Sequence, residues 1–219
     1  SENAEYHGQR ETQGLLQGLM QMEGEVDFAD RHEGPVMWLV PHFFGLDVAG
    51  VATQLTVRRP AASISARQSN PVLDAAMRRG RQRHGDAVLF SRAETAKPLV
   101  RAVREGRAFF NLPDMDFGSR DAAFVPFFGV PAATLLAPSR MARALGMKVQ
   151  PVVAHMLPGG QGYRVRYLPP WDDFPSEDPV ADAQRMNRWI EEEVRRCPDQ
   201  YFWVHKRFKT RPPGEPTLY

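Results

Sequence analysis

The sequence predicts an α/β domain in which helices cover both faces of a central mixed, mostly parallel sheet, an αβα layering. Three observations carry this prediction. Short continuous apolar runs, such as "PVMWLV" at 35–40 and "AVLFS" at 87–91, have the length of strands and no polar face. A strand covered on both sides reads in this way. Between such runs lie longer stretches with helix start and stop residues, and the two kinds of segment alternate with no internal repeat, as a layered α/β sheet requires.

Residues 12–23, "TQGLLQGLMQME", are expected to form a short helix with Leu15, Leu16, Leu19, Met20 and Met22 on one broad apolar face. The run at 35–40 is the first strand, and a helix is expected within 45–55. "AASISA" at 61–66 is the second strand, and the helix after it begins with Asn70 as N-cap and Pro71 at the first helical position. A third strand at 87–91 leads to the helix of "AKPLVRAVREG", with Pro98 near its start and Gly106 past its end. "AFFNL" at 108–112 is a fourth strand and runs into the polar loop "PDMDFGSRD". A helix at 137–145, closed by Gly146, precedes the last two strands, "KVQPVVAHML" and "YRVRYL". The final helix, 180–196, carries Val180, Ala183, Met186, Trp189, Ile190 and Val194 on one side. The chain divides into an N-terminal helical segment, 1–34, and a domain over 35–219.

With 219 residues, 42% of them hydrophobic and 25% charged, the composition is that of an ordinary globular chain with room for a full core. A formal net charge of +2 does not suit wholesale binding of nucleic acid, but it leaves room for a local anion site. The single cysteine, Cys197, excludes an internal disulfide and a cysteine-based zinc cluster. No run reaches the roughly 18 to 20 apolar residues of a spanning helix.

Five stretches could carry chemistry. In "VPHFFGLDVAG", at 40–50, His42 and Asp47 stand five positions apart within an apolar run. His42 follows a strand end, where open α/β sheets place their sites. Asp47 falls in the first turn of the next helix, where a carboxylate is favoured. An aspartate that orients an imidazole makes it a general base for a hydroxyl; the alternative is a satisfied core histidine beside a helix-start aspartate. In "NPVLDAAMRRGRQRHG", Asp74, Arg78 and Arg81 share one helix face, and Arg suits phosphate geometry; the alternative is a solvated basic face.

In "NLPDMDFGSRD", the aspartates 114, 116 and 121 resemble a metal set only superficially, because Arg120 opposes it and no His or Glu completes it. A loop ordered by carboxylate–arginine pairs and holding an anionic substrate fits better. "FVPFFGVPAATL" brings Phe124, Val125, Phe127 and Phe128 close behind that loop, as core or as the lining of an acyl-chain groove. The tail "YFWVHKRFKTRPPGEP" interleaves Trp203 and Phe208 with Lys206, Arg207, Lys209 and Arg211. That mixture suits an anionic membrane surface, each basic side chain adding about 1 kcal/mol.

Together "HFFGLD", "NPVLDAAMRRGR", "FNLPDMDFGSRDAAFVPFFG" and "YFWVHKRFKTRP" resemble the late acyltransferases of lipid A biosynthesis, the lauroyl/myristoyl transferase group, from about residue 35 to the C-terminus. The order of the four motifs is more specific than any one of them. The resemblance implies a glycerolipid acyltransferase-like fold. It also implies an enzyme that moves a fatty acyl chain from an acyl-carrier-protein thioester, or acyl-CoA, to a hydroxyl of a lipid A precursor. His42 and Asp47 match the family's H-x4-D/E dyad, Arg81 the arginine of its NP…GR segment, and Asp114 the first aspartate of its PDxDxG motif. Arg78 and Arg120 are expected to help Arg81 and Asp114 hold the acceptor.

On this expectation no metal or cofactor takes part and no nucleic acid is bound. Family members carry an N-terminal hydrophobic helix, which residues 1–34 do not resemble. Association with the cytoplasmic face of the bacterial inner membrane is therefore expected to be peripheral for this chain as it stands. Two rivals share the motifs: an acyltransferase of the same fold with another lipid acceptor, or a thioesterase using water. A third, of a different class, is a non-catalytic module that docks on anionic membranes.

Overall fold

A computed structural model describes residues 14–92 and 96–219. Its centre is a seven-stranded sheet in the order β1-β9-β8-β2-β5-β3-β4, with a separate two-stranded hairpin, β6-β7. The strands are β1 (Met20–Gly24), β2 (Val36–Leu39), β3 (Ala61–Ser65), β4 (Val88–Ser91), β5 (Ala108–Asn111), β6 (Ala122–Phe127), β7 (Val130–Leu135), β8 (Lys148–Met156) and β9 (Tyr163–Tyr167). Within the large sheet only β8 and β9 run antiparallel; every other neighbouring pair is parallel. The mixed, mostly parallel sheet expected from the alternation is therefore present.

The helices are α1 (Phe28–Arg31), α2 (Leu46–Thr56), α3 (Pro71–Arg81), α4 (Lys97–Arg104), α5 (Ala137–Leu145) and α6 (Pro179–Arg196). Strand β2 is wholly buried and divides the core by alternation: Met37 and Leu39 join one cluster, Val36, Trp38 and Val40 the other. The first cluster contains Leu99 and Val103 of α4 and Met186, Ile190 and Val194 of α6. The second contains Ala49 and Ala52 of α2. Those are the two outer layers of an αβα domain.

One expectation is corrected. Helix over 12–23 ends early: the chain is helical at 14–18, and Met20–Gly24 is the edge strand β1, parallel to β9. Met20 and Met22 pack on the core while Gln21 and Glu23 alternate with them, a period of two that the apolar residues at 15, 16 and 19 masked. Among the described residues, 14–34 hold a helix at 14–18, a strand and the short α1, and the strand belongs to the large sheet. The stretch "FVPFFGVPAATL" forms a β-hairpin that places Val125 and Phe127 in the core. Phe128 and Gly129 both take positive φ, 50° and 78°, as a two-residue hairpin turn of the primed type demands.

Candidate active site

The C-terminal ends of the parallel strands converge on one cleft, as in other open α/β sheets. Its lining includes His42 after β2, Ser65 at the end of β3, Arg92 after β4 and Asn111 at the end of β5. The cleft measures about 620 Å³ and is lined mainly by apolar side chains, among them Ile64, Met77, Phe109 and Met141. Concave, mostly apolar sites with a few convergent polar groups take small molecules and acyl chains.

His42 is held there by Asp114. The ring Nδ1 lies 2.6 Å from Oδ1 of Asp114, and the His42 backbone N–H donates to Oδ2 at 2.8 Å. The register explains the meeting. Leu39 of β2 pairs with Asn111 of the parallel neighbour β5, so His42 and Asp114 each lie three residues past paired positions. With Asp114 ionised, Nδ1 carries the proton and Nε2 is left with its lone pair, the tautomer a general base needs.

The electrostatics favour that arrangement. Burial works against a charged imidazole, but the charge and hydrogen bond of Asp114 outweigh it, with Asp47 adding and Arg81 opposing. His42 therefore titrates above the ordinary 6.5. Burial likewise opposes the Asp114 carboxylate, and the charge and hydrogen bonds of His42, with help from Tyr201, hold it below the usual carboxylate range. Tyr201 itself is pushed up, by burial first and then by the Asp114 charge.

The C-terminal segment braces this loop. Phe202 N–H donates to the His42 carbonyl and Phe44 N–H to the Gln200 carbonyl, both at 2.9 Å. Asp116, two residues past the orienting aspartate, accepts from Thr210 N–H and Oγ1, each at 2.8 Å, and from Gly118 N–H at 2.9 Å. The Asp116 N–H donates to Nε2 of His205 at 2.8 Å. Gly45 completes the turn after His42 for a spatial reason: a Cβ there would stand 2.6 Å from the Ala154 carbonyl oxygen.

The family model of the bacterial lipid A biosynthesis acyltransferases matches residues 9–210. The chain belongs to that family. It is 34% identical over 179 residues to the lipid A biosynthesis lauroyltransferase of Escherichia coli K12, covering 81% of this chain and 57% of the relative. It is 34% identical over 187 residues to the myristoyltransferase of the same organism, covering 84% of this chain and 57% of the relative. To the palmitoleoyltransferase it is 32% identical over 185 residues, with 84% and 59% covered. The chain thus spans under two thirds of the length of these relatives. In fold it resembles the 1-acyl-sn-glycerophosphate acyltransferase of Thermotoga maritima, with a TM-score of 0.50, 15% identity, and 88% and 77% of the two chains covered.

Within this lipid A acyltransferase fold the expected dyad partners are redistributed. Asp47, 65% exposed, does not orient His42; it accepts from Nε of Arg81 at 2.7 Å. The first turn of α2 places its side chain against Arg81 at the end of α3. Arg81 lines the cleft already neutralised by that pair. Arg78 is turned to the Leu89 carbonyl, 3.0 Å away, and Arg120 is exposed outside the cleft lining.

Tail residues also divide. Lys206 and Lys209 are exposed, as an anion-facing surface requires. Arg207, only 2% exposed, is not part of it: its guanidinium donates to the Ala133 carbonyl and to Thr134 Oγ1, at 2.7 and 2.8 Å. Arg211 donates to the Pro131 carbonyl at 2.7 Å and pairs with Glu215. Both tie the tail to the β6–β7 hairpin, which a reading of tail composition alone could not reveal. One charged cleft residue escaped the sequence reading altogether. Arg92 follows β4 as His42 follows β2, and its guanidinium lies 3.4 Å from the centre of the Phe117 ring. Its position directly after a strand end was the available signal.

Among the described residues no group of His, Cys, Asp and Glu is arranged to hold a metal ion. The three loop aspartates have other partners: Asp114 holds His42, Asp116 holds Thr210, and Asp121 pairs with Arg140.

Proposed function

We propose that this chain transfers a fatty acyl group from a thioester, carried by acyl-carrier protein or CoA, to a hydroxyl of a lipid A precursor. The observation that carries the proposal is the buried Asp114–His42 pair at the mouth of an apolar cleft, in a chain of the lipid A acyltransferase family. His42 Nε2 removes the proton of the acceptor hydroxyl as its oxygen attacks the thioester carbonyl. Asp114 fixes the tautomer and stabilises the imidazolium; when the tetrahedral intermediate collapses, the proton leaves with the thiol. The tetrahedral oxyanion needs a hydrogen-bond donor, and the Phe43 N–H, already donated to the Pro41 carbonyl, is committed elsewhere. Asp47 and Arg81 act as a paired wall of the cleft, joined by Arg92, which has no carboxylate partner among the described residues.

The acceptor sits on a membrane, and the surface beside the cleft supports contact with one. Phe44 and Phe202 line the cleft and their rings meet at 6.4 Å. Trp203 and Val204 follow, 49% and 78% exposed, with Lys206 close behind in the chain. No helix among the described residues is long and apolar enough to cross a membrane. The proposed place of work is the cytoplasmic face of the bacterial inner membrane, with Lys206 and Lys209 toward anionic lipid.

Acyl transfer measured from acyl-carrier protein to a lipid A precursor tests this reading. His42→Ala, folded as judged by circular dichroism, is expected to lose roughly 10²- to 10⁴-fold in kcat. Near wild-type turnover by that variant would sink the mechanism. An acceptor panel read by mass spectrometry separates lipid A precursor from other lipids and from water.

A further inference from the structure

A narrow apolar crevice lies beside the cleft, between α2 and strands β3 and β4, lined by Leu46, Gly50, Val51, Ile64, Leu89 and Phe110. Leu46, Ile64 and Phe110 also line the cleft, so the crevice adjoins it across these side chains. At its other end the crevice abuts a separate recess in the surface, between the α2 C-terminus and residues 85–87. The residues common to crevice and recess are Thr53, Gln54, Ala61 and Ala87. Thr53 turns its hydroxyl away, to the Ala49 carbonyl at 2.7 Å and the Tyr167 hydroxyl at 2.6 Å. Ala61 and Ala87 are too small to close the gap. Gln54 alone has the reach.

Its amide is held from two helices. Nε2 donates to the Gly50 carbonyl at 3.1 Å and to the Arg81 carbonyl at 2.8 Å. Oε1 is buried and has no partner among the described residues. A buried acceptor without a donor destabilises the fold, so packing alone does not explain a glutamine here. Gly85 leaves the space for it: a Cβ at 85 would stand only 3.1 Å from the Gln54 Cβ.

We infer that Gln54 is the stop that ends the acyl-binding crevice and thereby sets the length of chain this enzyme transfers. The inference rests on the acyl-transfer reading above and goes beyond it by naming the residue that selects the substrate. A chain entering from the cleft runs past Leu46, Ile64 and Val51 and meets the amide. A longer chain must displace that amide from both carbonyls before it can reach the recess. Each methylene that a closed apolar pocket cannot admit is discriminated roughly 10- to 200-fold.

Two opposite substitutions test it in the full chain, with saturated acyl donors of graded length and a lipid A precursor as acceptor. Gln54→Ala joins crevice to recess and is expected to move the preferred chain upward by two or more carbons. Gln54→Met keeps the bulk without the amide and is expected to keep the wild-type preference. Gly50 lies in α2, and a Cβ there meets nothing within 4 Å. Gly50→Leu therefore fills the crevice while improving helix propensity, and is expected to shift the preference to shorter chains. An unchanged length profile in Gln54→Ala and Gly50→Leu, both folded by thermal melt, overturns the inference, as does an equal shift in Gln54→Met and Gln54→Ala.

If the wild-type chain transfers acyl groups to no acceptor, the acyl-transfer reading fails, and the stop is then read by binding. Displacement of a fluorescent fatty acid by free fatty acids of graded length should show a cut-off that moves upward in Gln54→Ala. A cut-off that stays in place rejects Gln54 as the stop.

Discussion

At the scale of single residues, the site rests on which carboxylate reaches the imidazole. Asp47 is nearer to His42 in sequence, yet Asp114 makes the bond, because paired neighbours in a parallel sheet deliver their following loops to the same edge. The consequence is testable in the pH profile. Only neutral His42 accepts a proton, and its pKa lies above 6.5 because the Asp114 charge outweighs burial. The kcat/KM of acyl transfer is therefore expected to rise with pH through a midpoint above 6.5. In Asp114→Asn burial is no longer opposed by that charge, so the midpoint should fall while the plateau drops roughly 10²- to 10⁴-fold. A midpoint that stays in place in Asp114→Asn would show that the pair plays no electrostatic role. Asp47→Asn removes a smaller raising charge and leaves Arg81 unneutralised, so the midpoint should fall too, but by less than in Asp114→Asn.

At the scale of elements, local chemistry explains where helices begin. Asn70 takes an extended backbone and its side chain accepts from the Val72 and Leu73 N–H groups, with Pro71 at the first helical position. Replacing Asn70 by Ala should cost about 1 kcal/mol in a urea or thermal unfolding experiment. Since α3 carries Arg81 and Met77 to the cleft wall, fraying at its start loosens the site at its end. The hairpin β6–β7 was legible only in part. Its apolar run has no alternation, because β6 buries Val125 and Phe127 while Ala122, Ala123 and Phe124 are all half-buried, so period-two reading found nothing to grip. Its turn at Phe128–Gly129 also lacks the Asn or Asp that usually announces a primed turn.

At the scale of the whole molecule, the C-terminal tail closes the structure. It bridges the His42 loop, the aspartate loop and the hairpin, so residues far apart in sequence hold one another. Arg207 is the centre of that closure, and its ordinary guanidinium pKa is lowered by burial despite nearby carboxylates. Arg207→Met should destabilise the fold by about 3 kcal/mol, through the unpaired Ala133 carbonyl and Thr134 hydroxyl, as seen by denaturant unfolding. Its effect on binding to anionic vesicles should be slight. The double variant Lys206→Ala/Lys209→Ala should do the reverse, keeping stability and weakening vesicle binding with a reduced dependence on salt. Tail composition alone could not separate these roles, since four basic side chains look alike until packing turns two of them inward.

By itself the sequence determined the alternation of elements, the parallel sheet, the caps of α3 and α5, and the placing of His42 just after a buried strand. These follow from periodicity, strand-length apolar runs and helix punctuation, which act over a few residues. Tertiary structure alone decided that β5 lies beside β2, and so that Asp114 meets His42 while Asp47 meets Arg81. It also decided that the edge strand β1 replaces half of an expected helix, and that the Gln54 amide bridges α2 and α3 beside a crevice. The physical reason is the same in each case. Strand order and helix approach join groups tens of residues apart, and no local pattern records which of several equally plausible neighbours will arrive.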